Sequence, residues 1–321
     1  SVLRGIVSID NPENVSAEFS YNQDLVSSEE LFDFSWLYYD NDYLRYGMTE
    51  SGAELDEETF DNWSLTVSGA VDNPFTISLN DLIEEAPAVT KTVTMQCTMN
   101  PSGGPLIGTC EITGVSLKWL LEKAGVQSSA TVILPTSSDG FAQPIYMSFL
   151  EDRDAYVVWE INGERLSYAN GYPLISWLEG GSASVNIKQV SEIVVTDEPE
   201  EYYYMYLGWE TDDGGYYNKP NVGIFDSLNE GEIVSLGDSY TFSGYAHAFE
   251  QKIAAIEVSL DNGVTWTSYP VTDTTESLWV IWNYTIEPTD VGAYVIQVRA
   301  VTEQGLVSRT PAQMMINVAL S

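Results

Sequence analysis

Alternation with a period of two constrains this chain more than any other feature. Near the C-terminal end Ile256, Val258 and Leu260 alternate with other residues, Asp261-Asn262-Gly263 turns the chain, and Trp266 begins the return. Tyr294, Ile296, Val298 and Ala300 alternate again before Gln304-Gly305. Successive side chains of a strand point to opposite faces, so each run supplies one apolar face to a sheet. Short strands parted by turn residues over about a hundred residues predict an immunoglobulin-like sandwich. It lacks the paired cysteines of antibody domains. Asp212-Asp213-Gly214-Gly215 and Lys219-Pro220-Asn221 read as a linker, which places this all-β domain at 218–321.

Residues 36–217 mix two periods. Trp63, Leu65 and Val67 alternate as a strand. Ser78 then starts a helix whose first turn carries Asp81 and which Pro87 ends. A buried strand at Val93–Gln96 runs into Cys97, and Leu117, Leu120, Leu121 and Ala124 share one face of a helix that exits at Gly125. Val132–Leu134, Val157–Ile161 and Ile193–Val195 read as strands, with Asn162-Gly163 as a tight hairpin turn. No regular strand–helix–strand rhythm emerges, so the expected class is α+β rather than a doubly wound sheet. No Gly-x-Gly-x-x-Gly or phosphate-loop pattern is present. Residues 1–35 are polar and acidic, with a short helical signal at Ser28-Glu29-Glu30-Leu31-Phe32, and are read as an N-terminal arm.

The net charge is −36, from 48 acids and 12 bases. Phosphate binding needs clustered Lys and Arg, so nucleic acid and anionic membrane surfaces are poor partners. The simplest use of the charge is solubility, and the expected location is extracytoplasmic, with a leader removed. Acid-rich loops at Asp40-Asn41-Asp42 and Asp212-Asp213-Gly214 are calcium candidates without the spacing of a known calcium loop. No run approaches eighteen apolar residues, so no membrane span is expected. The single histidine, His247, lies in a strand-like run and is read as structural. Cys97 and Cys110 could form a disulfide, though nothing in the sequence demands it.

Chemistry concentrates in Met95-Gln96-Cys97-Thr98-Met99-Asn100-Pro101-Ser102-Gly103-Gly104. A cysteine at a strand end enters a loop whose glycines let backbone amides approach a ligand. Its thiolate could bind a soft metal or attack an electrophile. A small buried thiol closing a strand accounts for these residues more simply, and both readings stay open on the residues alone.

The order of motifs resembles the sulfite-oxidase-type molybdopterin oxidoreductases, in particular the bacterial branch with Cys-x-x-Asn-Pro-x-Gly-Gly. That string here is Cys97 to Gly104, followed by Thr113-Gly114-Val115 and Leu117. Asp139-Gly140-Phe141, Asn162-Gly163-Glu164, Gly171-Tyr172-Pro173-Leu174, Ile187-Lys188-Gln189-Val190 and the hairpin from Ile256 to Trp266 resemble further family segments in order. The resemblance covers about residues 36–318.

The resemblance implies a molybdenum–molybdopterin cofactor, with Cys97 as the metal's thiolate ligand. It implies that Asn100, Ser102, Gly103, Gly104 and Lys188 contact the cofactor and that Asp139 lines the catalytic pocket. It implies oxygen-atom transfer on a small-molecule substrate, a redox partner protein, and a homodimer through the C-terminal domain. Two departures qualify this. Asp40 and Asp42 stand where the family has bases, and Ile175 replaces an arginine. A phosphate beside uncompensated carboxylates is costly, which leaves Arg45, Lys188 or the amides of Asn100–Gly104 to hold it. With few bases near the motif, a neutral substrate such as a sulfoxide suits the chain better than sulfite. The aromatic-acidic run Glu200 to Trp209 would line the pocket mouth or form a sheet edge. The alternative is a cofactor-free relative serving as an extracytoplasmic binding or structural module.

Overall fold

The computed structural model describes residues 15–23, 55–97, 100–198, 219–225, 232–249 and 251–321. They form two compact units. One takes the described residues from 55 to 97 and from Leu106 to 198, and the other takes those up to 23, Asn100–Pro105 and those from 219 onward.

The first unit is built on two sheets. In one, Ile175–Leu178, Ala155–Ile161, Ile107–Ser116 and Val89–Gln96 lie side by side, all antiparallel. Asn162 and Gly163 adopt φ of 53° and 76°, the left-handed pair a two-residue turn requires, and return the chain as Glu164–Arg165. In the other sheet Ser64–Gly69 pairs antiparallel with Phe75–Ser78 and parallel with Val190–Thr196. Val132–Ser137 and Ile145–Tyr146 complete it.

The helices are short, and their ends are set by sequence. Leu79–Glu85 begins where Ser78 Oγ accepts the Asp81 amide at 3.1 Å. Leu117–Ala124 buries Leu117, Leu120, Leu121 and Ala124 on one face and ends at Gly125, whose φ of 67° is the left-handed exit. Against the core, Gly114 sits at a register shift between Ile107–Ser116 and Ala155–Ile161. A Cβ there would lie 2.2 Å from the Val157 carbonyl oxygen, so only glycine fits. The α+β class therefore holds for this unit, with strands carrying most of the structure.

The second unit is a two-sheet sandwich. One sheet runs Ser16–Asn22, Val280–Glu287, Tyr240–His247, Asn221–Ile224, all antiparallel. The other runs Glu232–Ser235, Ala312–Ala319, Gly292–Thr302, Ile253–Ser259, Thr267–Pro270. Its core includes Phe242, Trp282, Tyr284, Ile296 and Met314. The turn expected at Asp261-Asn262-Gly263 is present, with Asn262 at φ 60° and Gly263 at φ 83°.

Two features add detail to the domain reading. Residues 16–22, within the stretch read as an N-terminal arm, form the outer strand of the sandwich. Ala17, Phe19 and Tyr21 alternate with Ser16, Glu18, Ser20 and Asn22, and the three apolar residues pack on the sandwich core. By proximity Asn100–Pro105 groups with the sandwich. The helical signal at 28–32 lies outside the described residues.

Candidate functional site

Cys97 follows the last residue of Val89–Gln96 and is 4% exposed. Its amide donates to the Leu106 carbonyl at 3.0 Å, so the ladder continues one residue past the strand. Cys110 pairs across from Val93 on the neighbouring strand. The two cysteines are thus offset by four ladder positions, about 13 Å at strand rise. A disulfide needs Cα atoms within about 7 Å, and both thiols are free. Burial pushes the Cys110 thiol up to about 12, which leaves it neutral and unsuited to metal binding.

Next to Cys97, Gln96 makes a parallel backbone bridge to Ser182. That bridge leads into the most unusual part of the unit. From Gly171 to Val190 nearly every residue is buried, although regular structure is confined to Ile175–Leu178, a 3-10 turn at Ala183–Val185 and the strand beginning at Val190. Connections normally run on the surface because their polar groups need partners. Here the partners are internal. Asn186 Oδ1 accepts the Leu178 amide at 3.0 Å, Ser176 Oγ accepts the Ile187 amide at 3.0 Å, and Ser182 Oγ accepts the Ser184 amide at 3.1 Å.

Four buried polar atoms of this unit have no partner among the described residues: Gln96 Oε1, Ser137 Oγ, Asn186 Nδ2 and Gln189 Oε1. Each such atom costs about 1–3 kcal/mol unless something else satisfies it. Asn186 and Gln189 lie in the stretch 182–189, Gln96 is bridged to Ser182, and Ser137 pairs with Val190 just beyond it. Gln189 also sits at φ 53°, a strained backbone for a side chain of its kind.

Lys188 lies in that stretch, half-buried, and its ammonium donates to the Ala169 carbonyl. Gly171 must be glycine, because its φ is 97° and a Cβ would lie 2.9 Å from Lys188 Cβ. Ile175, in place of the expected arginine, is a buried strand residue bridged to Lys188. Asp139 caps its own turn, accepting the Phe141 amide at 2.9 Å on Oδ1. The adjacent Ser138 amide donates to the Gln189 carbonyl at 3.1 Å. Lys188 thus lies in this buried stretch, and Gln96 and Ser138, the chain neighbours of Cys97 and Asp139, pair with it. Ser182, Asn186 and Gln189 were not singled out from sequence, because polar residues beside Gly180 and Gly181 look like a solvated loop.

Asn100, Ser102, Gly103 and Gly104 lie in the other unit. Asn100 is fully buried and donates through Nδ2 to the Tyr245 hydroxyl at 3.3 Å. The Gly103 amide donates to Asn221 Oδ1 at 3.3 Å, and the Gly104 amide donates to the Pro101 carbonyl at 2.8 Å. These two amides, expected to face an anion, are engaged inside the protein. His247 is wholly buried, and burial pushes its imidazole down to about 3. That neutral, enclosed ring fits the structural reading.

Asp40, Asp42, Arg45, the run from Glu200 to Trp209 and Asp212-Asp213-Gly214 lie outside the described residues. Among the described residues no three His, Cys, Asp or Glu side chains gather as a metal site. Among them, too, no helix is long and apolar enough to cross a membrane.

The donor set can be tested against a pterin-held metal. Cys97 would supply one soft ligand to a metal whose other sulfurs come from the cofactor. The unpartnered amide and hydroxyl groups of Gln96, Ser137, Asn186 and Gln189 suit the polar edge of a pterin. The residues present fit the group.

Comparison with known proteins points the same way. The oxidoreductase molybdopterin binding domain matches residues 53–204, and the Mo-co oxidoreductase dimerisation domain matches residues 223–320. The chain is 26% identical over 292 residues to the NADPH nitrate reductase of Leptosphaeria maculans, covering 77% of this chain and 31% of that protein. It is 26% identical over 305 residues to the NADH nitrate reductase of Solanum lycopersicum, covering 76% and 33%. It thus spans about a third of the length of these relatives. Among solved structures, the sulfane dehydrogenase SoxCD of Paracoccus pantotrophus superposes with a TM-score of 0.64 at 23% identity, over 79% of this chain and 70% of that one. This likeness speaks to the fold.

Proposed function

Since this chain belongs to the sulfite-oxidase-type molybdopterin oxidoreductases, we propose that it binds molybdenum–molybdopterin through Cys97 and transfers an oxygen atom to or from a small neutral substrate. The observation that carries this reading is the group of unpartnered buried polar atoms around 182–189, a stretch that holds Lys188 and pairs with the chain neighbours of Cys97 and Asp139. Cys97 would give the thiolate, Lys188, Asn100 and Ser102 would contact the cofactor, and Gln96, Asn186 and Gln189 would meet its polar edge. When bound, the group supplies the two-electron exchange of an oxygen atom. The chain's own residues exclude water from the thiol and fix its backbone, while Asp139 holds the turn that would line the pocket.

A sulfoxide-like substrate is favoured over sulfite by the apolar and engaged residues found among the described ones where cations were expected. Ile175 is apolar, and the Lys188 ammonium is held by a carbonyl. An anion would find little to offset its desolvation. Reduction or reoxidation would need a redox partner protein, and the C-terminal domain would support a homodimer. The excess of 48 acids over 12 bases is the support for an extracytoplasmic location.

A second reading, a cofactor-free relative acting as a binding or structural module, is favoured by one observation. Lys188 and the amides of Gly103 and Gly104 are already engaged within the protein. Metal and pterin analysis of the chain made in a cofactor-competent host separates the two. The enzyme reading expects near-stoichiometric molybdenum, lost on Cys97→Ser. Background molybdenum with Cys97 free would overturn it.

A further inference from the structure

The sheet that leads to Cys97 is joined edge to edge. Val89–Gln96 is one edge strand and Ile175–Leu178 the other. The chain leaving Ile175–Leu178 returns to the first edge, where Ser182 meets Gln96 in the parallel bridge. Glu179 stands three residues before Ser182, and Lys91 stands five before Gln96. The Lys91 ammonium donates to Glu179 Oε2 at 2.6 Å. The two contacts follow one another in the same direction along both segments. Residues 179–182 therefore lie beside the strand that ends at Cys97.

Glu179 is held from several sides. Its side chain is 13% exposed, against 41% for Lys91, so it is the carboxylate that depends on the pair. The Tyr156 hydroxyl donates to the same Oε2 at 3.3 Å, and the Glu179 amide donates to the Asp154 carbonyl at 3.0 Å. Ser116 Oγ donates to the two carboxylate oxygens of Asp154 at 3.0 and 2.9 Å. Burial first, then the charges of Glu179 and Asp154, push the Tyr156 phenol well above its ordinary range, so it stays a donor. Beyond Glu179 the packing is tight. A Cβ on Gly181 would lie 3.0 Å from Leu178 Cδ2 and 3.1 Å from Val185 Cγ2. The Leu178 amide is bound by Asn186 Oδ1, so a shift of Glu179 is passed on to Ser182 and Asn186.

We propose that Lys91 and Glu179 are positioning residues whose ion pair fixes the buried stretch 179–189 against the strand that presents Cys97. The pair acts as a strut that sets the spacing between the thiol and the polar groups of Asn186 and Gln189. Its use rests on the reading of Cys97 as ligand, but the strut itself is a property of the chain without cofactor. Both residues act through the backbone. A ligand and the groups around it must keep their spacing closely, because small displacements of a supporting shell weaken metal sites.

Hydrogen exchange and thiol alkylation in the full chain, prepared without cofactor, test the strut. Lys91→Met keeps the length of the side chain and removes the cation. The amides of Leu178, Gly181 and Val185, and that of Cys97 on the facing strand, should then exchange about tenfold faster, the lower end of what a hydrogen bond to a charged group is worth. Iodoacetamide should label Cys97 faster by about the same factor. Lys91→Arg should restore both rates, because it returns the charge. Adding Glu179→Gln to Lys91→Met should make neither rate faster, since the two changes break one contact. The Ile193 amide in the second sheet should keep its rate and Cys110 should stay unlabelled, which certifies the fold. If Lys91→Met exposes Cys110, the decision passes to Glu179→Gln alone, which keeps an acceptor for Tyr156. Unchanged exchange and labelling in a folded variant overturn the strut, as does a Lys91→Arg chain that stays fast. Molybdenum content is measured separately, on the same chains made in a cofactor-competent host. Faster exchange in a chain that never takes up molybdenum keeps the strut and loses the ligand reading. Unchanged exchange in a chain that loads normally does the reverse.

Discussion

Gln96 makes a parallel backbone bridge to Ser182, one residue before the candidate metal ligand. Its buried side-chain carbonyl has no partner among the described residues. An apolar side chain of the same length removes an unsatisfied group without opening a cavity. Gln96→Met should therefore stabilise the cofactor-free chain by about 1 kcal/mol in urea denaturation. The same change should lower molybdenum and pterin content, because it removes a group kept for the cofactor. A variant that is less stable and loads normally would remove Gln96 from the site.

Gly114→Ala is expected to be severe. The added methyl would meet the Val157 carbonyl oxygen at 2.2 Å and Val158 Cα at 2.8 Å, both backbone, with no side chain free to move aside. Overpacking of this kind costs about 3 kcal/mol. Thermal denaturation should show the loss, whereas Gly140→Ala, with nothing within 4 Å of its Cβ, is strained only by its φ of 90° and should cost less.

His247 makes stability depend on pH in a definite direction. Burial holds its imidazole at about 3 against an ordinary value of 6.5, so the unfolded chain binds a proton before the folded one does. The full contribution is present above pH 6.5 and is lost as pH falls from there towards about 3. Each unit crossed removes about 1.4 kcal/mol. Acid also relieves repulsion among 48 carboxylates, which acts in the opposite sense, so the comparison must be with His247→Asn. Between pH 6.5 and 5 the unaltered chain should lose about 2 kcal/mol relative to that variant. Parallel pH profiles would show that the ring is not enclosed as described.

Cys110 should behave as an inert thiol. With its proton held up to about 12, it should resist alkylation in the folded chain at pH 8 and react at once in denaturant. Intact mass after oxidation by a mild disulfide reagent should show no bond between Cys97 and Cys110, since their ladder positions forbid it. A species two mass units lighter would contradict the strand register.

Much of this was legible along the chain because it is local. Ser78 and Gly125 mark helix ends, Asn162-Gly163 marks a turn, and each acts within a few residues of itself. The sandwich was legible because period-two alternation survives whatever the strands pair with. Three features were not. Ser16–Asn22 alternates, but its partner Val280–Glu287 lies at the other end of the chain, and acidic flanks conceal it. Ser182, Asn186 and Gln189 are polar residues near glycines, a composition that ordinarily means solvent. Asn221 and Tyr245 hold a loop more than a hundred positions upstream, and no spacing rule connects them to it. Cys97 was found by motif rather than by physics, since a buried thiol at a strand end carries no signature of its own.

The pairing of Ser16–Asn22 with Val280–Glu287 has a consequence for how the chain is made. The Tyr21 hydroxyl meets the Thr272 carbonyl across a separation of 251 residues. During synthesis the outer strand leaves the ribosome about 250 residues before Val280–Glu287 and has no partner in its sheet until that strand has followed. It spends that interval as an unpaired edge, the kind of segment that seeks a partner in other molecules. Contacts of such high order also close slowly. The acid-rich composition around the strand, with Glu18 on its own exposed face, keeps like strands apart by charge until the native partner arrives.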